Sequence, residues 1–335
     1  MQVTELSRED YERTLTDLVP SPPIEQLPVW QDYEATIPGR TFWGYVSFTE
    51  GGEVLAVAAL FRYETHGYHF LRGHHSPVWK AEPTVEQETA ALDALIAYAR
   101  SRDPKLVFAR ISVLHELPST HPVLSTRPYD STMVIDVTGG DEEILARMKP
   151  RGRRDVRKAL RESPVECADE TELALSSFAE YYEVMRETGE RDGFVPAPIS
   201  DYETMLTTLG PKRCRVFAGR DGDRVVTWSI VTLSGATAVR YYAASRNDTM
   251  RLHVTDKLVY FECCELGRRG VELYDLMGLG SEFQPALMGL NEFKTKFAKD
   301  GVRHVAPDRD VPLRRAFYGT LTKIKDVRDG LRRDS

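Results

Sequence analysis

Two segments carry side chains whose types and spacing could do chemistry. The stretch Tyr274–Phe297, YDLMGLGSEFQPALMGLNEFKTKF, sets aromatic beside cationic groups at Phe293–Lys294 and Lys296–Phe297, next to glycines. A ring beside a cation suits stacking on an unpaired base while its phosphate is neutralised. The plain alternative is an amphipathic segment with buried Phe and exposed Lys. The stretch Met148–Glu162, MKPRGRRDVRKALRE, spreads Arg153, Arg154, Arg157, Lys158 and Arg161 over more than half of a helix surface. Arginine fits phosphate bidentately, and about five to seven such charges give a strongly salt-dependent affinity for nucleic acid. A solvated helix paired with an acidic body is an equal reading of the same residues.

The charge distribution sharpens that choice. Arg147 to Arg161 holds eight basic residues and one Asp, and Arg314 to Arg333 holds seven basic and two acidic residues. The chain as a whole is at −7, which leaves −19 for the remainder. An acidic body with two basic strips points to a local polyanion site and away from general coating of DNA.

Other chemistries find little support. His66, His69, His74 and His75 lie within ten residues, but their spacing matches no common zinc pattern and strand alternation would split them between faces. No metal site is expected. Phosphate loops, dinucleotide-binding glycine turns and the G-x-S-x-G nucleophile elbow are missing from the sequence. The cysteines Cys167, Cys214, Cys263 and Cys264 form no C-x-x-C pair. Cys263–Cys264 reads as two small apolar residues on a helix. The longest apolar run, Val54 to Phe61, is far short of the ~18–20 residues of a membrane helix. The polar, acidic start MQVTELSREDYERT is no secretory signal. Cytosolic residence is the expectation.

The elements that must position these groups follow from periodicity. The 335 residues, 41% apolar, allow about two domains at roughly 150 residues each. A helix is expected over Ser7–Leu18. A hairpin follows, Phe42–Phe48 and Val54–Tyr63 around Gly51–Gly52. Short strands are expected at Tyr68–Arg72 and Pro77–Trp79, a helix at Val85–Arg100, and strands at Leu106–Ser112 and Met133–Val137. The second half repeats the plan: hairpin Cys214–Arg220 and Arg224–Leu233, strand Ala238–Ser245, helix Thr255–Arg268, strand Val271–Gly278. Hairpin, helix and strand occurring twice point to a duplicated α/β unit. Long helices are expected at Thr171–Glu190 and Asp201–Leu209, and a basic one at Pro312–Leu331. A boundary falls near Thr138–Gly140, giving domains at 1–140 and 141–310, with a C-terminal helix, 311–335, free to pack on either.

The element order of the second half resembles the acetyl-CoA-dependent N-acyltransferase (GNAT) fold, which holds the CoA pyrophosphate on backbone N–H groups at a glycine-rich turn. The turn here, Arg246–Lys257, RNDTMRLHVTDK, has no glycine. Side chains would obstruct the pyrophosphate, so an acyl-CoA donor is disfavoured.

Five segments in order resemble the Fem-type (FemA/FemB/FemX) peptidoglycan aminoacyltransferases: RRDVRKALRES (Arg153–Ser163), YYEVMRETGERDGF (Tyr181–Phe194), RYYAAS (Arg240–Ser245), YDLMG (Tyr274–Gly278) and GLNEFKTKF (Gly289–Phe297). Gln26 with Trp30 is a weaker match. The set spans roughly residues 20 to 300. The resemblance implies an α/β chain of two tandem GNAT-like domains facing across a cleft, with the C-terminal helix returning to the first. No long helical insertion is present, so the compact FemX type is the nearer likeness. Implied chemistry is transfer of an amino acid from aminoacyl-tRNA to a stem-peptide amine of a peptidoglycan precursor. Such a donor is an activated ester, so no cofactor is needed beyond the aminoacyl-tRNA co-substrate. A nucleotide- or lipid-linked muropeptide would be the partner, which leaves peripheral proximity to the membrane open.

Residue roles follow from the same resemblance. Lys294 would meet the tRNA 3′ end and the charge developing on the carbonyl oxygen, with Phe293 stacking nearby. Tyr241, Tyr242 and Ser245 would line the acceptor channel, with Tyr202, Gln26 and Trp30 as further substrate contacts. Arg153, Arg154, Arg157, Lys158 and Lys296 would hold tRNA. Asp275 could orient or deprotonate the amine, or simply pair with a neighbouring Arg. Two departures stand out. Relatives often carry a Lys where Glu34 stands, beside Tyr33, and an Arg where Pro198 stands. Either Arg40, Lys80 or Arg191 replaces these phosphate cations, or the acceptor lacks a nucleotide diphosphate and is a small peptide metabolite.

Overall fold

The computed structural model describes residues 1–125 and 128–333. Two compact units emerge, one of residues 1–129 with 305–335 and one of residues 130–304. The last two residues of the expected C-terminal helix lie outside the described residues.

The first unit begins with β1 (Gln2–Leu6), α1 (Arg8–Leu18), α2 (Pro28–Glu34), β2 (Arg40–Glu50), β3 (Glu53–Thr65), β4 (Tyr68–Arg72), β5 (Val78–Trp79), α3 (Val85–Arg102) and β6 (Leu106–Ser112). The second unit contains β7 (Ser131–Asp136), α4 (Asp141–Arg147), α5 (Pro150–Glu162), β8 (Glu166–Asp169), α6 (Thr171–Ser176), α7 (Ala179–Asp192), α8 (Ile199–Leu209), β9 (Cys214–Asp221), β10 (Arg224–Ser234), β11 (Thr237–Ser245), α9 (Val254–Arg268), β12 (Leu273–Gly278), α10 (Met288–Lys294) and β13 (Val302–His304). The chain then returns to the first unit with β14 (Asp308–Pro312) and α11 (Arg315–Arg333).

The two sheets share a plan. In the first the order is β1-β2-β3-β4-β6-β14, with β5 on β3; in the second it is β13-β7-β12-β11-β10-β9-β8. Each has an antiparallel hairpin (β2–β3, β9–β10) and one parallel pair (β4·β6, β11·β12) joined by a helix, α3 or α9. A parallel pair needs such a crossover. The helix α3 starts at a capping box between Thr84 and Gln87.

Alternation builds the cores. On β2 and β3, Val46, Phe48, Ala58 and Leu60 meet Ala91, Leu92, Leu95 and Ala99 of α3. The other face of β2 meets α1, where Tyr11 stacks on Tyr45 at 4.3 Å. In the second unit Leu258, Val259, Cys263 and Leu266 of α9 pack against Phe217, Val231 and Tyr274. Both Cys263 and Cys264 are buried in that core, and burial pushes the Cys264 thiol up to about 12.

Three expectations are corrected. The boundary lies at 129/130 and not near 140, because β7 pairs antiparallel with β12 and so belongs to the second sheet. The second unit ends at 304 and not at 310, because β14 pairs with β6 of the first sheet. The expected helix 171–190 breaks at Ser177, whose extended backbone separates α6 from α7. The C-terminal helix does pack on the first unit: Tyr318 meets Phe108 edge-on at 5.5 Å, and its hydroxyl donates to Asp310 at 3.2 Å.

Candidate active site

The site is a fork in the second sheet. Strands β11 and β12 pair over only three positions, Thr237–Val239 with Leu273–Asp275. Each strand then bulges. On β11 Tyr241 is the extra residue opposite Ile230 and Val231. On β12 the register shifts between Asp275 and Gly278, and Met277 takes a left-handed φ of 63°. That is a costly conformation for a side-chain-bearing residue. The Asp275 carboxylate helps hold it, accepting from the Met277 N–H at 2.6 Å and from the Thr132 hydroxyl.

Arg240 is the first residue of β11 past the paired stretch, and its side chain is 9% exposed. Its Nε donates to the Glu262 carboxylate on α9 at 3.2 Å. Glu262 is fully buried and also accepts from the Tyr274 hydroxyl at 2.6 Å and from the Ser229 hydroxyl. Breaking such a pair would leave an uncompensated buried charge, so the network fixes where Arg240 lies.

Lys294 ends α10 and donates from Nζ to the Gly278 carbonyl at 2.7 Å, at the far end of β12. Burial and then the charge of Arg240 lower its pKa to about 8, against the opposing pull of Asp275. A cation poised near neutral pH is matched to proton-coupled chemistry. Asn291 anchors α10 to the loop after β12, accepting from the Gly280 N–H at 2.8 Å and donating to the Gly280 carbonyl at 2.8 Å. Phe293 is half-buried and meets Phe297 edge-on at 5.2 Å.

Tyr241 and Tyr242 follow Arg240 on β11 and are half-buried. Tyr242 lies against Tyr202 at 5.0 Å. Tyr202 itself is buried, stacked on Phe178 at 5.4 Å, and burial raises its pKa. It supports Tyr242 from behind and does not present a surface to a ligand. Ser245 is fixed through its backbone, its carbonyl accepting from Thr188 at 3.1 Å and Arg191 at 2.8 Å.

The basic strip forms α5. Arg154, Arg157 and Lys158 are exposed. Arg153 turns back and donates to the carbonyls of Met148 at 2.6 Å and Ala146 at 3.2 Å, closing the end of α4. Lys296, expected to hold tRNA, is instead 8% exposed and bridges Asp256 of α9 and Asp155 of α5. It is a clasp between elements. Gly152 permits this approach, because a Cβ there would overlap the Lys296 carbonyl oxygen. The exposed face of α5 is thereby tied to the segment that carries Lys294.

In the first unit, Gln26 and Trp30 are structural. Gln26 is 1% exposed; its amide accepts from the Ala59 N–H at 2.8 Å and donates to the His74 carbonyl at 2.6 Å. Trp30 is buried and donates to Glu34 at 2.7 Å. Glu34 is buried as well, and accepts further from Tyr63 and His74. Burial alone would raise its carboxyl; His74, Tyr63 and Arg40 override that and hold it low. His74 is pushed down by burial and by Arg72, whose Nη2 donates to His74 Nδ1 at 3.1 Å. Glu34 therefore closes a buried network. Lys80 pairs with Glu53 at the surface, and Arg191 is spent on Asp192, Asn247 and Ser245.

Sequence reasoning missed Arg240, Glu262 and Asn291. Arg240 opens the RYYAAS segment, and its only sequence signal is a charge in an otherwise apolar strand. Glu262 and Asn291 give none.

Comparison with known proteins bears on the fold. Residues 147–295 match the acetyltransferase (GNAT) domain family. The crystal structure of FemX superposes with a TM-score of 0.71 at 16% identity, over 96% of this chain and 99% of that one. The fold is FemX-like. Two further structures share it more distantly. The C-terminal domain of a putative lysylphosphatidylglycerol synthetase from Agrobacterium fabrum gives 0.54 at 14% identity, over 91% and 92% of the two chains. A tandem GNAT protein from the clavulanic acid biosynthesis pathway gives 0.50 at 13% identity, over 92% and 96%. No curated protein matches the sequence. The FemX-like chain therefore consists of two GNAT-like domains, and its fork lies within the segment that matches an acyltransferase family.

Proposed function

We propose that the protein is an aminoacyltransferase that takes an amino acid from aminoacyl-tRNA and joins it to the stem-peptide amine of a peptidoglycan precursor. The observation that carries this reading is Lys294 at the fork, on the segment that Lys296 clasps to the basic helix α5. A tRNA backbone on Arg154, Arg157 and Lys158 would be held by phosphate contacts. Its 3′ ester would then be offered near the half-buried Lys294. The amine nitrogen attacks the ester carbonyl, and Lys294 stabilises the charge on the oxygen. Asp275, fixed by Thr132 and Met277, would orient the amine.

An acyl-CoA donor fits less well. The N-terminus of α9, where a pyrophosphate would sit, carries Asp256 in its first turn, and His253 caps it with a left-handed φ of 52°. The glycine-free turn there, Arg246–Lys257, puts side chains where a pyrophosphate needs open backbone N–H groups. A small-peptide acceptor is the second reading, favoured by Glu34, which stands buried where a phosphate-binding cation would be needed.

The test is transfer from a mixture of charged, radiolabelled tRNAs to UDP-linked and lipid-linked muropeptides. RNase-sensitive label on either acceptor is expected. Label on neither, with tRNA still bound, transfers support to the small-peptide acceptor; label from acetyl-CoA alone overturns the tRNA reading.

A further inference from the structure

We infer that Arg240 is a second catalytic cation of the fork, its Nη2 donating a hydrogen bond to the oxygen of the acyl carbonyl under attack. The inference rests on the acyl-transfer reading and adds a residue to it.

Four observations support it. Arg240 stands on β11 at the point where β11 and β12 part. Its Nη2 is buried and has no acceptor among the described residues, whereas Nε is bonded to Glu262. Buried donors are rarely left unpaired, and those that are call for a functional account. Glu262 shares its acceptor oxygens with Tyr274 and Ser229 and holds the guanidinium through Nε, with the Tyr274 hydroxyl beside the same guanidinium. Lys294 reaches the far end of the partner strand, donating to the Gly278 carbonyl at 2.7 Å, and the charge of Arg240 helps lower its pKa.

The charges that act on Lys294 are Arg240 on β11 and Asp275 on β12, and Arg240 is itself paired with Glu262 on α9. Two cations and two carboxylates leave the ground state near neutrality. Like charges held close in a buried site cost energy, which is offset when negative charge develops between them. In the step itself the amine nitrogen forms a bond to the carbonyl carbon and the π pair moves to oxygen, facing Arg240 and Lys294. Collapse breaks the ester C–O bond, and the proton lost by the amine passes to the leaving hydroxylate.

The experiment compares Arg240→Met and Arg240→Lys with wild type in single turnover, across pH, using whichever acyl donor the wild type accepts. Because the carbonyl is common to an ester and a thioester, a donor other than aminoacyl-tRNA would overturn the tRNA reading and still test Arg240. Arg240→Met is expected to slow the chemical step about 100-fold with KM within threefold. The loss of rate at high pH should move upward from about pH 8, since Lys294 loses a positive neighbour. Arg240→Lys should recover part of the rate. A rate within twofold of wild type in folded Arg240→Met would overturn the inference. Should that variant fail to fold, the charge-neutral pair Arg240→Met/Glu262→Met replaces it. The same rate loss is then expected, and a wild-type rate overturns the inference.

Discussion

Both units build a parallel strand pair next to a hairpin, and they treat its end differently. In the first unit the chain beyond β4 stays bonded to β6: the Gly73 N–H donates to the Arg110 carbonyl at 3.0 Å, and the Ser112 N–H to the Ser76 carbonyl at 2.9 Å. Arg72, at the end of β4, is held by Asp308 at 2.6 Å and contacts His74, which leans on Glu34. In the second unit the corresponding pair stops after three positions, both strands bulge, and a lysine enters from α10. One closed and one open copy of the same arrangement separate stability from chemistry. Closing a fork with buried ion pairs makes a scaffold, and parting it around a desolvated cation makes a site.

The largest expected effect tests the open fork. Lys294→Met should reduce transfer at least about 100-fold while the melting temperature does not fall, because a lysine whose pKa is depressed by burial and by Arg240 is a net cost to the fold at neutral pH. Unchanged turnover would end the role assigned to Lys294. The closed fork should respond in the opposite way. Asp310, fully buried, receives Arg110 at 2.7 and 3.0 Å and the Leu124 N–H at 3.0 Å. Asp310→Asn should cost roughly 3–5 kcal/mol of stability, read by denaturant unfolding, with the rate of the folded fraction preserved.

A smaller effect is expected on α5. Replacing Arg154, Arg157 and Lys158 together by Ala should weaken tRNA binding about tenfold and flatten its salt dependence by about two to three ions. These side chains are exposed, so unfolding should be unaffected. Filter binding at several salt concentrations checks this, and an unaltered slope would return α5 to the status of a solvated helix. The subtlest test is Asp275→Asn. Removing a negative neighbour lowers the Lys294 pKa further, so activity should fall away at a pH below about 8. This shift is opposite in sign to that of Arg240→Met. A limb that stays in place would show that Lys294 does not govern it.

Much of the fold was legible because alternation and helical spacing are local. The hairpins, α3, β6 and α9 all lie within a few residues of where periodicity puts them. The strands that escaped, β1, β8, β13 and β14, are edge or short strands. In β14, Asp308–Pro312, charges and a proline hide a strand that exists only because β6 offers it partners. That strand and β7 also moved the domain boundaries, since pairing partners far along the chain decide membership of a sheet.

The site divides along the same line. By itself the sequence determined the residue types on offer: Lys294 beside Phe293, the cationic run of α5, the tyrosines of β11 and the glycine-free turn before α9. These are local facts of composition and spacing. Only the tertiary structure decided which cations are available. Lys296 and Lys294 are two residues apart, yet Lys296 is buried between two carboxylates and Lys294 stands at the fork. Gln26 and Trp30 became core, and Arg240 became a largely buried cation paired with Glu262. The physical reason is desolvation: a charge works as a scaffold or as a reactant according to what surrounds it, and those surroundings come from residues distant in the chain.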